Sequence, residues 1–254
     1  MKMTLEFLEE TIRIAGREAL NWAERLGDLK IHHKGEKDLV SEADIAVEHC
    51  IRQNMRKYFP EFGFYGEEGG EQIGKVGRWI VDPIDGTLSF TKGQYHWSIS
   101  IAVELEHELR MGAVYAPAMD TLYIAEAGAG AFKNGTAIHV SDVDTLEKAV
   151  VASGFACLRS NLEDNNLPRF GRIASRLSGI RVLGSAAIDC CFVADGRLDG
   201  FWEQNLNLYD IAAGMVIARE AGAVVTDFSG NPWQKPEQIL ISNPRLHPQL
   251  VELM

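Results

Sequence analysis

The residues with the clearest chemical potential lie in Trp79-Ile-Val-Asp82-Pro83-Ile84-Asp85-Gly86-Thr87. An apolar run delivers Asp82, Pro83 lacks the N–H needed to continue sheet pairing, and Asp85-Gly86 permits a sharp turn. Two carboxylates three residues apart around such a turn can converge on one point, with the Ile84 carbonyl between them. Hard oxygens of this kind suit Mg2+ rather than zinc. Without a cation, the two like charges would push one carboxyl pKa up strongly. A bare Asp-x-x-Asp can also be a tight turn whose acids bond local amides, and locally both readings stand. Gly86-Thr87 opens a helical turn whose amides could hold a phosphate oxygen and whose hydroxyl could orient a water. That threonine could equally be a helix cap.

Other acids carry two readings each. Glu67-Glu68 follows an apolar strand and precedes Gly69-Gly70, as a surface turn or as ligands turned towards Asp82. Asp44 stands three residues after Ser41, the position of a capping-box acid, and on local grounds it is a cap. Asp210 falls in the first turn of a helix, where the helix dipole favours an acid, but Ala212-Ala213-Gly214 after it permit a close approach. Glu203 ends the strand at Phe201-Trp202.

The elements that must position these residues follow from periodicity. Residues 4–26 place Leu5, Leu8, Ile12, Ala15, Ala19, Trp22 and Leu26 on one helical face, with Gly27 as the stop. Residues 30–38, including His32 and His33, read as an exposed loop or hairpin, and a helix follows over 42–58 with Ser41 as its N-cap. Strands are predicted at 63–66 and 78–81, then a meander at 97–105, 110–116, 121–126 and 130–133, with Asn134-Gly135 as a hairpin turn. After a boundary at 141–148 the chain alternates. The order is strand 149–153, helix 163–178, strand 180–183, helix 185–195, strand 199–203, helix 208–221, strands 223–227 and 238–242, and helix 246–253. The expected organisation is an α+β unit over 1–145 carrying most of the acids and an α/β unit over 146–254 closing over them, in α-β-α-β-α layers.

A net charge of −11 over 254 residues disfavours a general polyanion binder, and no apolar run is long enough to span a bilayer. The same charge would repel a phosphorylated substrate unless bound cations reverse the local field. Cys50, Cys157, Cys190 and Cys191 show no zinc spacing, and we read them as reduced thiols of a cytoplasmic protein. The adjacent pair 190–191 reads as helix core packing.

Taken in order, Gly66-Glu-Glu68, the segment 79–87, Gly184-Ser-Ala-Ala187 and Tyr209-Asp-Ile-Ala-Ala-Gly214 resemble the inositol monophosphatase family. The resemblance implies a five-layer α-β-α-β-α sugar-phosphatase fold and a Li+-sensitive phosphatase with two to three Mg2+ ions. It implies that Glu67, Asp82 and the Ile84 carbonyl hold a first metal, and that Asp82, Asp85 and Asp210 hold a second. Glu67 would also touch a third, mostly through water. Asp44 would pair with Thr87 to orient the attacking water, and the Gly86 and Thr87 amides would hold phosphate. Glu203 and the backbone of Gly184, Ser185 and Ala186 would contact the substrate alcohol.

Ser89, Tyr209 and Lys92-Gly93 depart from frequent family residues without touching a ligand, so they bear on the substrate. The leading expectation is myo-inositol 1-phosphate. The alternatives are histidinol phosphate, a sugar bisphosphate, or an accessory role in transcription or ribosomal RNA synthesis through a protein partner. The resemblance also implies a homodimer, and the net charge of −11 argues against direct contact with nucleic acid or an anionic membrane.

Overall fold

The computed structural model describes residues 3–33, 39–160, 162–234 and 237–254. Helix α1 (Leu5–Ala23) starts at Thr4, whose hydroxyl accepts the Phe7 amide, and buries Leu8, Ile12, Ala15 and Ala19. It ends before Leu26, which lies in a 3₁₀ turn and still packs its side chain on the core. Of the loop or hairpin expected over 30–38, the structure shows β1 (Ile31–His33) paired antiparallel with β2 (Leu39–Ser41), which lies just past that range, and residues 34–38 lie outside the described residues. Helix α2 (Glu42–Tyr58) opens with the predicted capping box of Ser41 and Asp44.

An eight-stranded sheet follows. It comprises β3 (Gly63–Gly66), β4 (Gly70–Gln72), β5 (Gly77–Asp85), β6 (Ser98–Leu105), β7 (Glu108–Ala116), β8 (Thr121–Glu126), β9 (Gly130–Lys133) and β10 (Thr136–Ala137), with the short helix α3 (Thr87–Thr91) after β5. The order is β10-β9-β8-β7-β6-β5-β3-β4, and only β3 and β5 run parallel. Strand β4 is Gly-Glu-Gln, exposed throughout, so no apolar pattern announces it. Asn134-Gly135 makes the two-residue turn between β9 and β10, both residues at positive φ.

The expectation that Pro83 ends sheet pairing is corrected. Pairing lapses after Asp82 opposite Ser100 and resumes at Asp85 opposite Ser98. Three steps on β5 face two on β6, a one-residue bulge, and the proline sits inside it where no ladder N–H is required.

The second half contributes β11 (Val150–Ser153), α4 (Ala156–Arg159), α5 (Asn166–Ala174), β12 (Gly179–Arg181), α6 (Ala186–Ala194), β13 (Gly200–Gln204), α7 (Leu208–Glu220), β14 (Val224–Thr226), β15 (Gln238–Ser242) and α8 (His247–Val251). Its sheet runs β12-β11-β13-β15-β14. The helix predicted over 163–178 is shorter. Pro168 is tolerated only in a first turn, so α5 begins just before it, with the Asn165 side chain accepting the Leu167 amide.

Strand alternation sets the layers. Trp79 and Val81 face α1 and α2, whereas Ile80, Ala102 and Val114 face the other way and pack with α6 and α7. On the second sheet Phe201, Ile239 and Ile241 join that same middle layer, and Trp202 and Leu240 face Ile173 of α5 and Leu250 of α8. The result is α-β-α-β-α, as expected from sequence. Helix α7 is buried on every side from Ile211 to Ala218 because sheets flank it on both faces. The small residues after Asp210 serve this packing. Gly112 of β7 lies against the Ala213 backbone, and Gly214 lies against Cys190 of α6. No helix among the described residues is long and apolar enough to cross a membrane.

Candidate active site

The β5 bulge has a consequence for chemistry. In a regular strand, residues three apart point to opposite faces; one inserted residue makes the effective spacing even, so Asp82 and Asp85 turn to the same side. The Asp82 Oδ1 accepts the Ile84 amide at 3.0 Å, tying the acid to its own turn. Gly86 then takes a φ of 91°, a left-handed conformation that glycine adopts without strain, in close quarters with the Gly184 and His96 carbonyls. Thr87 opens α3 with its hydroxyl 3.0 Å from Asp44 Oδ1 and 3.1 Å from the Ile84 carbonyl oxygen, and can donate its one proton to either.

Asp44 both caps α2 and meets the Thr87 hydroxyl. Its Oδ2 accepts the Ser41 amide at 2.9 Å and the Ser41 hydroxyl at 2.5 Å, which caps α2, while Oδ1 remains for Thr87. It is fully buried, and that burial pushes its carboxyl up despite the Ser41 and Thr87 hydrogen bonds. Glu67 and Glu68 leave the end of β3, the Glu67 amide donating to the Val81 carbonyl and the Glu68 amide to Glu48 Oε2 at 2.8 Å. Carboxylate oxygens of Asp44, Glu67 and Glu68 lie within 4.8 Å of one another, a grouping able to hold a metal ion.

Asp85 is held from the second half of the chain. Its Oδ2 accepts the Ser185 hydroxyl at 2.5 Å and the Ala187 amide at 2.8 Å, so the N-terminus of α6 docks on it. Ser185 also accepts the Ile188 amide and lies 3.3 Å from the Ser98 hydroxyl. Asp210 closes a capping box with Asn207, accepting its amide at 2.6 Å on Oδ2, which leaves Oδ1 outside the cap. At the end of β13, Glu203 Oε1 accepts the Ala156 amide at 3.0 Å, and Gly154 gives it room, since a Cβ there would collide with the carboxylate.

These acids share one field. Burial pushes the Asp82 carboxyl well up, and the charges of Glu67, Asp85, Asp210 and Asp44 add to the shift. Asp210 is raised by burial, then by Asp85; the Asn207 amide opposes this, and Glu67 and Glu203 add to it. The phenol of Tyr209, whose ring centre is 5.6 Å from that of Tyr65, is raised by burial and then by Asp210 and Glu67. Five carboxylates from β3, β5, α2 and α7 thus repel one another in a partly dry site. Multivalent hard cations relieve that repulsion, and the donor set consists of the oxygens such cations prefer.

Sequence reasoning missed several supports. Ala187 acts through its backbone amide, which leaves no trace in residue type. Asp189, one turn into α6, is completely buried with Oδ1 lacking a partner among the described residues, and burial, Glu203 and Asp85 raise its carboxyl. Glu48 had a legible signal: it lies four residues from Asp44, on the same face of α2, and four from Arg52.

A family model described as "Inositol monophosphatase family" matches residues 2–254. An inositol-1-monophosphatase of Rhizobium meliloti is 40% identical over 228 residues, 89% of this chain and 86% of the relative. A fructose-1,6-bisphosphatase/inositol-1-monophosphatase of Thermotoga maritima is 39% identical, covering 87% of this chain and 84% of the relative. The crystal structure of extragenic suppressor protein suhB from Bartonella henselae superposes with a TM-score of 0.92 at 36% identity, covering 98% of this chain and 96% of that one.

Proposed function

The chain belongs to the inositol monophosphatase family, whose members are phosphoric monoester hydrolases, and we propose that it hydrolyses myo-inositol 1-phosphate to inositol and phosphate with two to three Mg2+ ions. The observation that carries this reading is the Thr87–Asp44 hydrogen bond set beside mutually repelling buried acids. In this reading Glu67, Asp82 and the Ile84 carbonyl hold one ion, and Asp82, Asp85 and Asp210 hold another. Such ions, when bound, supply a water of lowered pKa and neutralise phosphate charge.

The chain's own residues do the rest. Asp44 accepts the Thr87 proton, so the lone pairs of Thr87 Oγ1 face outward as acceptors for a water O–H, and the water's oxygen is turned towards phosphorus. The Gly86 and Thr87 amides hold phosphate oxygens. The water's oxygen bonds phosphorus in line and gives up a proton to solvent as the bond to the substrate alkoxide breaks, and that alkoxide takes a proton from solvent to leave as the alcohol. Glu203 and the Gly184-Ser185-Ala186 backbone face the alcohol. Ser185 and Ala187 fix Asp85, so substrate and metal subsites meet at the start of α6.

Comparing kcat/KM on inositol 1-phosphate, fructose 1,6-bisphosphate and histidinol phosphate, each with Mg2+ and with a chelator, tests the proposal. Inositol 1-phosphate should lead, and chelation should abolish turnover. A lead for histidinol phosphate would overturn the substrate assignment, and chelator-resistant turnover would overturn the metal. Fructose 1,6-bisphosphate is the second reading, favoured by the name of the Thermotoga maritima relative. We also read the protein as a cytoplasmic homodimer. Light scattering should give about twice the 28.1 kDa chain mass, and a monomer at micromolar concentration would remove that reading.

A further inference from the structure

We propose that Glu48, braced by Arg52, is the positioning residue for the Glu67–Glu68 turn and thereby sets the affinity of the metal that turn holds. The inference rests on the reading of Glu67 as a ligand. Glu48 lies one helical turn after Asp44 on the same face of α2 and is 4% exposed. Its two oxygens have separate tasks. Oε2 accepts the Glu68 amide at 2.8 Å, and Oε1 accepts Arg52 Nη2 at 2.9 Å. The Arg52 guanidinium lies over the Phe64 ring, 3.9 Å from its centre, and Phe64 belongs to β3, the strand that delivers the turn.

The glycines on either side of the two glutamates show how close the contact is. A Cβ on Gly66 would collide with the Glu48 carboxylate, and one on Gly69 with both Glu48 and the Arg52 guanidinium. The turn is therefore pressed onto α2 at both ends and pinned by one amide between them. Asp44 stands on α2, and the Glu67–Glu68 turn that leaves β3 is tied to the same helix one turn further on through Glu48, so α2 helps set the distance between Asp44 and the turn. Partners that orient a ligand without touching the metal typically change metal affinity by about 10–100-fold.

The test is direct Mn2+ binding by calorimetry on the metal-free full chain, paired with Mg2+ activation curves. Glu48→Ala should weaken Mn2+ binding and raise the half-activating Mg2+ concentration by about 10-fold or more, with KM for inositol 1-phosphate at saturating Mg2+ little changed. Glu48→Gln keeps an acceptor for the Glu68 amide but not for Arg52, and should recover part of the loss. Arg52→Met keeps the packing on Phe64 but removes the brace, and should weaken binding in the same direction by several-fold. It serves as the deciding variant if Glu48→Ala does not fold. Unchanged Mn2+ affinity in folded Glu48→Ala, or in Arg52→Met where that variant decides, overturns the inference. So does equal loss in the Ala and Gln variants. If the wild type itself binds no divalent ion, or Glu67→Gln binds as tightly as wild type, the failure lies in the ligand reading instead.

Discussion

Asp44 shows how one side chain can cap a helix and hold a hydroxyl at the candidate site. Its two oxygens divide between the Ser41 cap and the Thr87 hydroxyl, so the helix fixes the position of the acid that orients the hydroxyl. Replacing Thr87 by Ala should lower kcat by about 10²-fold or more, the range for a positioned proton-transfer or orienting group, with little change in KM. Asp44→Asn should cost a similar factor, and the double variant no more than either alone, because the two act as a unit. Additive losses in steady-state kinetics would separate the two residues and remove this account of the pair. At this scale the sequence was informative where residue type carries the chemistry. Asp82, Asp85 and Thr87 stand in one short segment, and their turn is written in Pro83 and Gly86. It was silent where backbone does the work, as at the Ala187 amide on Asp85, and local pattern gave Asp44 only a capping role, its pairing with Thr87, 43 residues away, being legible only through the family resemblance.

Elements with strong periodicity were legible, and those defined by partners were not. The apolar stripes of α1 and α2 and the apolar cores of β5 to β8 announced themselves. The polar strand β4 and the bulge through Pro83 depend on what lies alongside. The two hairpin turns make a useful contrast. Asn134-Gly135 has the residues that a two-residue turn with both φ angles positive requires, and it was readable. Glu106-His107 joins β6 to β7 with φ angles of 53° and 64° but has neither Asn nor Gly. A left-handed residue with a Cβ costs roughly 1–2 kcal/mol, partly offset in a glycine by its chain entropy. Converting Glu106-His107 to Asn-Gly should therefore raise the free energy of unfolding by about 1 kcal/mol. Phosphatase turnover should stay the same, since Glu106 and His107 are not among the carboxylates of the candidate site. A denaturant titration showing no gain would mean that the strands already hold the turn in place without strain.

For the whole molecule, layer order followed from the alternation of strands and helices in the second half, but strand order and the parallel β3–β5 pair did not, because side-chain patterns record faces and not neighbours. The layers bring Asp210 on α7 up against acids from the first half, concentrating negative charge in a chain whose net charge is already −11. This cost appears in metal-free stability. Asp82, Asp210 and Asp44 have carboxyl pKa values raised above the unfolded value near 3.8, chiefly by burial, so the fold binds their protons more tightly than the unfolded chain does. Their penalty is fully present above the folded values and fades as pH falls through them, so metal-free stability should rise on acidification. Buried His247, whose ring is pushed down from 6.5 by burial, works in the opposite sense below that value. The clean window is therefore pH 8.5 down to about 6.5. In a chelator, Tm should increase across it. With Mg2+ at 100 times its Kd, stabilisation at pH 8.5 should reach about 2.7 kcal/mol, and the slope should flatten or reverse, because the ion competes with protons for the same oxygens. Thermal denaturation at the two pH values, with chelator and with Mg2+, decides the matter. A metal-free Tm that falls on acidification, or a pH slope indifferent to Mg2+, would show that the acids do not confront one another in the fold as this geometry requires.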